Sequence, residues 1–245
     1  MNLIKSSAAV VVAASFVVGY APSARAQSTT LPPDPAFSTV QQPERTSYFD
    51  QRIAAPRQAF EITVGTGYTQ GLGMFQAGVD MDRVATPGLG VDLGLGYRID
   101  PRWAISVNGQ YQELTAERAV GARGMTGNLA GTYHFSPYTR TDPWLSLATG
   151  YRMFWERNAG AAPNVLTHGF QLAKLSAGLD FRVDKDIALA PMIGADVNMF
   201  LWQDVTGNVA LADPRVNTFV YAGLQARFDM TSKHETESGI TTATR

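Results

Sequence analysis

The chain has 245 residues, a formal net charge of −1 and no cysteine. The near-neutral balance excludes the basic footprint of a nucleic-acid binder. The missing cysteine excludes disulfide staples, thiolate chemistry and a lipid-modified N-terminal Cys.

Residues 1–26 read as a secretory signal peptide. Lys5 supplies the positive start, 8–19 an apolar run, and Ala24-Arg25-Ala26 a small-x-small cleavage site. The run falls short of the ~20 residues that a membrane-spanning helix needs. No other stretch stays apolar for longer. Residues 27–58 are polar and proline-rich (Pro32, Pro33, Pro35, Pro43, Pro56) and lack periodicity. They read as a disordered linker on the periplasmic side.

From residue 60 onward the pattern has a period of two, the signature of strands. It is clearest over 88–111. Leu89, Val91, Leu93, Leu95 and Tyr97 share one parity, and Gly90, Asp92, Gly94, Gly96 and Arg98 the other. After the turn Asp100-Pro101-Arg102 the alternation resumes with Trp103, Ile105, Val107 and Tyr111. Strands are predicted at 60–68, 88–98, 103–111, 125–135, 144–155, 170–183, 187–199 and 217–228. The connections alternate between long (69–87, 113–124, 156–169, 200–216) and short (99–102, 136–143, 184–186). An even number of strands with alternating long loops and short turns is the pattern of a bacterial outer-membrane barrel. The expected fold class is therefore all-β: an eight-stranded antiparallel transmembrane β-barrel over 59–228. A disordered N-terminal leader precedes it, and a polar periplasmic tail at 229–245 follows.

The face assignment decides between lipid and water. The apolar parity carries aromatics where a membrane interface would lie: Phe60, Tyr97, Trp103, Tyr133, Phe135, Phe181 and Phe228 at the periplasmic ends, Tyr68, Tyr111 and Trp155 at the extracellular ends. The segments 60–68 and 103–111 match the ~9–11 residues that a tilted transmembrane strand needs. A soluble lipocalin-like or streptavidin-like barrel would turn the apolar face inward. Its interior could not hold the other parity, which includes Glu61, Asp92, Arg98, Arg152, Lys174, Asp180, Arg182, Asp196 and Arg227.

Two stretches carry a family resemblance. Gly94-Leu95-Gly96-Tyr97-Arg98, followed by the short Asp/Pro turn and a new amphipathic strand, resembles the OmpA/OmpX-type small outer membrane β-barrel superfamily. So does the closing strand, where Tyr221, Gly223, Ala226 and Phe228 look like the signal that the barrel assembly machinery recognises. The resemblance spans 59–228 and implies architecture rather than an activity. The signal departs from the pattern by ending in Ala226-x-Phe228 instead of two bulky residues, and 229–245 follow it. That tail is too short for the peptidoglycan-binding domain of the OmpA type. The resemblance also implies partners: outer membrane lipids and lipopolysaccharide, the assembly machinery, and periplasmic chaperones.

An eight-stranded lumen is just wide enough for side chains to fill, so the inward charges must pair. They are expected to form a salt-bridged plug, with Asp92 and Asp196 near Arg152 or Lys174. The alternative is a small low-conductance pore. A third reading is enzymatic. His134-Phe135-Ser136 with Asp142 is similar to the His-x-Ser plus acid of outer-membrane lipid A deacylases. Parity places His134 in the lumen at the periplasmic end, away from lipopolysaccharide, so no enzyme is expected. His168 falls in a loop and His234 in the tail. No metal site and no cofactor is expected, because no His/Cys/Asp spacing suits a metal and no helix follows the Gly-x-Gly runs. The extracellular loops carry Met74, Phe75, Met81, Val165, Leu166, Leu201, Trp202 and Val209, the expected place for recognition. The expected protein is a monomeric, non-enzymatic barrel in the outer membrane of a Gram-negative bacterium, exported through the general secretory pathway.

Overall fold

The computed structural model describes residues 53, 55–116, 120–158 and 164–230. The expected signal peptide, nearly all of the expected linker and the tail beyond Met230 lie outside the described residues. The chain forms β1 (Ala59–Gln76), β2 (Val79–Asp80), a one-turn helix α1 (Met81–Val84), β3 (Gly88–Arg98), β4 (Trp103–Leu114), β5 (Gly121–His134), β6 (Thr141–Arg157), β7 (Val165–Asp184), β8 (Ile187–Asp204), β9 (Asn208–Ala210) and β10 (Val216–Met230). Eight of these strands pair antiparallel in the order β1-β3-β4-β5-β6-β7-β8-β10, and β10 returns to β1. The sheet is a closed barrel. Strands β2 and β9 are short ribbons on β1 and β8, so ten strands give an eight-stranded wall.

The alternation explains the wall. Leu89, Val91, Leu93 and Leu95 are more than half exposed on the outside, while Arg98, Arg152, Asp180 and Asp196 are wholly buried inside. This is the inverse of a water-soluble barrel and the arrangement of one that crosses a bilayer. Small inward neighbours make room for the large cations. Arg98 lies between Ala59 and Ala104, Arg227 between Thr63 and Ala188, and Arg152 between Thr126 and Gly169. Side-chain hydrogen bonds set the tight turn after β3. Asp100 Oδ1 accepts the N–H groups of Arg102 (2.7 Å) and Trp103 (2.9 Å), an Asx-type closure.

The strands run further than the alternation suggests, mostly at the end that carries the long connections. Strand β1 continues from Tyr68 to Gln76, β6 ends at Arg157, β7 starts at Val165, and β8 reaches Asp204. Much of 69–87, 113–124, 156–169 and 200–216 is therefore strand rather than loop. Interstrand pairing holds these segments: β1 stays in register with β10 as far as Gly73↔Asn217. In β1 the glycines Gly71 and Gly73 lower the strand propensity of the extension. At the other end β6 begins at Thr141 rather than 144, and β10 extends through Asp229 to Met230. The last linker residues are packed. Ala55 is buried and donates its N–H to the Pro137 carbonyl at 2.6 Å.

Three register shifts break the β7–β8 ladder, one of them beside the turn, where Val183 is unmatched between Arg182↔Ala188 and Asp184↔Ile187. In β7, Gln171 pairs with Asn198 and Ala173 with Val197, leaving Leu172 unmatched. In β8, Phe200 pairs with Gly169 and Trp202 with His168, leaving Leu201 unmatched. Each extra residue moves the following side chains to the opposite face. Thr167, Gly169 and Gln171 thus line the lumen, as do Lys174 to Arg182 on the other parity.

The seam has a steric requirement of its own. Gly67 faces Gly223 across β1 and β10. A Cβ on Gly223 would collide with the Thr66 carbonyl oxygen and lie 2.8 Å from Gly67 Cα. Gly223→Val is expected to cost about 1–3 kcal/mol through overpacking at the seam. The check is a lower urea midpoint for unfolding from lipid vesicles and loss of the compact, heat-sensitive band on gels.

Candidate functional site

The functional surfaces of this barrel are its lumen and its two rims. The lumen is layered. At the end with the short turns lies a belt of buried charge. Arg98 Nε donates to Glu61 Oε1 at 2.5 Å, and its Nη1 donates to the Pro101 carbonyl at 3.0 Å. Arg227 Nη1 donates to Asp180 Oδ2 at 2.6 Å, and Arg182 Nη1 to Asp229 Oδ2 at 2.9 Å. His134 is wedged among them. Its Nδ1 lies 2.8 Å from Asp142 Oδ2, while Nε2 faces Arg98 Nη2 at 3.2 Å and Arg227 Nη1 at 3.1 Å. A neutral ring protonated at Nδ1 satisfies every contact, donating to the carboxylate and accepting from both guanidiniums.

The middle of the lumen is narrower in chemistry and wider in space. Lys174 Nζ lies 3.6 Å from Asp92 Oδ1 and 4.7 Å above the Tyr221 ring. The Tyr221 hydroxyl meets Ser176 Oγ at 2.8 Å. Below them Thr63, Ser106, Asn108, Thr132 and Ser146 line a cavity of about 70 Å³. That is room for a few waters in a polar setting.

Nearer the loop end the lumen closes again. Arg152 Nη1 donates to Asp196 Oδ2 at 2.9 Å, and Nη2 donates to Gln112 Oε1. Asp196 also accepts from Gln171 (2.8 Å), Asn198 (2.6 Å) and the Phe219 N–H (3.2 Å). The guanidinium lies 3.5 Å from the Phe219 ring centroid. Above this layer sits an apolar cap. Phe75, Met81, Val84 and Ala85, from the first long connection, pack with Leu114, Ala122, Phe154, Phe200 and Phe219 of the wall. Phe75 and Phe200 have ring centroids 5.2 Å apart.

The outer face carries two aromatic belts. At the turn end Phe60 contacts Tyr97 at 5.2 Å, Trp103 contacts Tyr133 at 4.9 Å, and Tyr133 contacts Phe135 at 5.0 Å between centroids. Phe181 and Phe228 complete that rim on β7 and β10. At the loop end Tyr68, Tyr111 and Trp155 are joined by Tyr151, on the outward parity of Trp155, and by His168, Phe170 and Trp202, which the alternation did not reveal. His168 stacks on Trp202 with centroids 5.6 Å apart, Phe170 contacts Trp202 at 6.1 Å, and Tyr151 contacts Phe170 at 5.6 Å.

Several residues therefore sit away from their expected places. Asp142 and Asp229, expected in a turn and in the tail, are buried members of the charge belt. His168 and Trp202 belong to strands β7 and β8 and not to loops. Of the expected loop apolars, Phe75 and Met81 are buried in the cap, while Met74 and Val209 are exposed. The structure also gathers His134, Asp142 and Asp180, with one potential ligand atom of each within 4.8 Å of the others. Spacing along the sequence did not reveal this group. Arg227 Nη1 lies within hydrogen-bonding distance of both Asp180 and His134, so a guanidinium already meets two of the three residues. Nor does a hydrolytic triad form. Ser136 meets Asp142 through its backbone N–H at 2.9 Å, and the His134 nitrogen that would serve as base faces two guanidiniums.

Fold and lumen together define a transmembrane β-barrel. No protein-family model and no curated protein matches the chain. Among solved structures it is similar to Neisserial surface protein A, with 13% identity over 70% of this chain and 97% of that one and a TM-score of 0.49. It is similar to the outer membrane protein OprG from Pseudomonas aeruginosa, with 12% identity over 73% and 99% and a TM-score of 0.44. It is also similar to Ail, the attachment invasion locus protein of Yersinia pestis, with 14% identity over 70% and 99% and a TM-score of 0.43. No residue's role passes from them to this chain.

The Arg152–Asp196 pair gives a direct test of the lumen chemistry. Asp196→Ala leaves a buried, unpaired guanidinium and is expected to cost about 3–5 kcal/mol. Adding Arg152→Met removes that charge and is expected to restore most of the loss. Urea unfolding of the two variants in lipid vesicles, followed by tryptophan fluorescence, separates a paired charge layer from a dispensable one.

Proposed function

We propose that the chain is an integral outer-membrane barrel of a Gram-negative cell, reached through the general secretory pathway. Its short turns and both termini face the periplasm, and its long connections face the exterior. The inverted wall and the paired aromatic belts support this placement. The barrel is monomeric, its lumen does not conduct, and it performs no chemistry. Its contribution is to membrane structure and to contacts made by the exterior rim. The observation that carries this reading is the stack of an apolar cap on the wholly buried Arg152–Asp196 pair. An ion crossing that layer would have to break charge-assisted hydrogen bonds in a low dielectric. Assembly partners follow from the closing strand: the barrel assembly machinery would read Tyr221, Gly223 and Phe228, after delivery by periplasmic chaperones.

A second reading, a low-conductance pore, has one observation in its favour: the polar cavity midway along the lumen. Planar bilayers separate the two. The wild-type chain is expected to give no unitary current, and a Phe75→Ala/Arg152→Ala variant is expected to leak. A reproducible wild-type current that changes with Asp92→Asn or Arg152→Gln would overturn the closed lumen. On the enzymatic side, overexpression is expected to leave the lipid A mass unchanged. A mass shift abolished by His134→Ala would reverse that conclusion.

A further inference from the structure

We infer that the turn-end belt is a buried proton-binding site: Asp142 and Asp180 share one proton at a pH where free carboxyls have lost theirs. The charge of the belt is uneven. Buried in it are the carboxylates of Glu61, Asp142, Asp180 and Asp229 and the guanidiniums of Arg98, Arg182 and Arg227. Three of the acids have a guanidinium of their own: Glu61 has Arg98, Asp229 has Arg182, and Asp180 has Arg227. Asp142 has none. It accepts the His134 Nδ1–H at 2.8 Å and the Ser136 N–H at 2.9 Å, both neutral donors. The His134 ring is neutral, since its Nε2 accepts from Arg98 and Arg227. The other cations at this mouth are engaged elsewhere. Arg102 Nη1 donates to the Tyr133 hydroxyl, Arg140 Nε donates to the Arg182 carbonyl, and Lys185 pairs with Asp186. The belt therefore carries one negative charge in excess, and an uncompensated charge in a low dielectric is costly.

Pairing across the sheet locates the excess. Asp142 and Asp180 stand directly opposite each other on β6 and β7. Side chains so placed have Cβ atoms about 4.5–5.5 Å apart, and like charges there repel. One shared proton removes the repulsion and the excess together. Three of the four carboxylate oxygens are taken. Asp142 uses both on the N–H groups just named, and Asp180 Oδ2 accepts from Arg227 at 2.6 Å. Asp180 Oδ1 is buried and has no hydrogen-bond partner among the described residues. It is the oxygen where a proton displaces no donor. A metal ion does not fit the same place, because Arg227 already meets Asp180 and His134, and neither aspartate lines the lumen cavity. A proton needs no such room. Its loss leaves an uncompensated anion between β6 and β7 and loosens the turn end, so the sealed mouth is the acid form.

The test uses the full chain refolded into lipid vesicles. Infrared spectra are recorded at about pH 6, where ordinary carboxyls are ionised. The wild type is expected to show the carbonyl band of a protonated carboxylic acid, and isotopically labelled aspartate is expected to move it. Asp180→Asn keeps the oxygen that Arg227 holds and places an amide N–H at the empty position, so it is expected to abolish the band. In urea unfolding, its folding equilibrium constant is expected to gain on the wild type about tenfold per pH unit from about pH 5 upward. The sign follows from the proton. The folded wild type binds one more than its unfolded chain, so that stability is full below the ordinary aspartate range of ~3.9. It is lost as pH rises, until the folded pair ionises. His134 contributes equally to both chains and cancels. Asp229→Asn, in a pair with its own guanidinium, is expected to keep the band and to lower the constant by a factor that does not vary with pH. A wild type without the band would overturn the proposal. So would a band that survives Asp180→Asn, or a ratio of the two constants that is flat with pH. Stabilisation of a bandless wild type by added sodium or magnesium would put a bound cation in place of the proton and overturn it equally. The labelled wild-type spectrum decides even where a variant fails to insert.

Discussion

Closure of the backbone ladder is the constraint on which the rest depends. In hydrocarbon no water satisfies a free N–H or C=O, so a sheet can cross only when its last strand pairs with its first. Here β10 meets β1 from Phe60↔Met230 to Gly73↔Asn217, a seam nearly as long as either strand. The opposed Gly67 and Gly223 let the two backbones approach where any side chain would hold them apart. The absence of cysteine is consistent with this economy, because the hydrogen-bond network itself has no open edge to fray.

Closing eight strands also fixes the interior. The lumen is only as wide as its side chains, and every inward charge must find a partner within it. The solution is local alternation of large and small: an arginine on one strand stands between alanine, threonine or glycine on its neighbours. Buried pairs of this kind add little net stability, because desolvation offsets their attraction, but breaking one is costly. They therefore do more to fix the packing than to strengthen it. His134 illustrates this. Its ring joins three charged residues from β3, β6 and β10 at one point, and its two nitrogens are consumed in doing so.

Much of this was legible in the sequence because a lipid face and a lumen face alternate over most of each membrane-crossing strand. The eight strands, the inward charges and the Asp92–Lys174 and Asp196–Arg152 proximities all follow from parity. What parity could not show was its own interruption. One unmatched residue, Leu172 or Leu201, reassigns everything beyond it, so Gln171 entered the lumen and Trp202 and His168 the outer belt unannounced. Strand ends were equally hidden. Asp142 and Asp229 sit beside turn and tail residues, and only pairing across the barrel shows that they are inside.

The loop end shows where the membrane stops. Along β8 the inward residues run Asp196, Asn198, Phe200, from charged to polar to aromatic. Along β6 they run Arg152, then Phe154. At the same height the outward residues of β4 to β6 change from Leu, Val and Tyr to Glu113, Arg123 and Arg157. The two faces exchange character together. Inside lipid a barrel is polar within and apolar without. Once the wall rises into water the hydrophobic effect acts from the other side, and the same strands build an ordinary apolar core. The strands of 17–20 residues in β6, β7 and β8 are long enough for both regimes, since ~9–11 suffice to cross. Phe75, Met81 and Val84 fold back over the mouth because that upper core needs a lid. The cap is thus a consequence of extending an inverted barrel beyond its membrane, and the row where the inversion occurs is the row that carries the arginines.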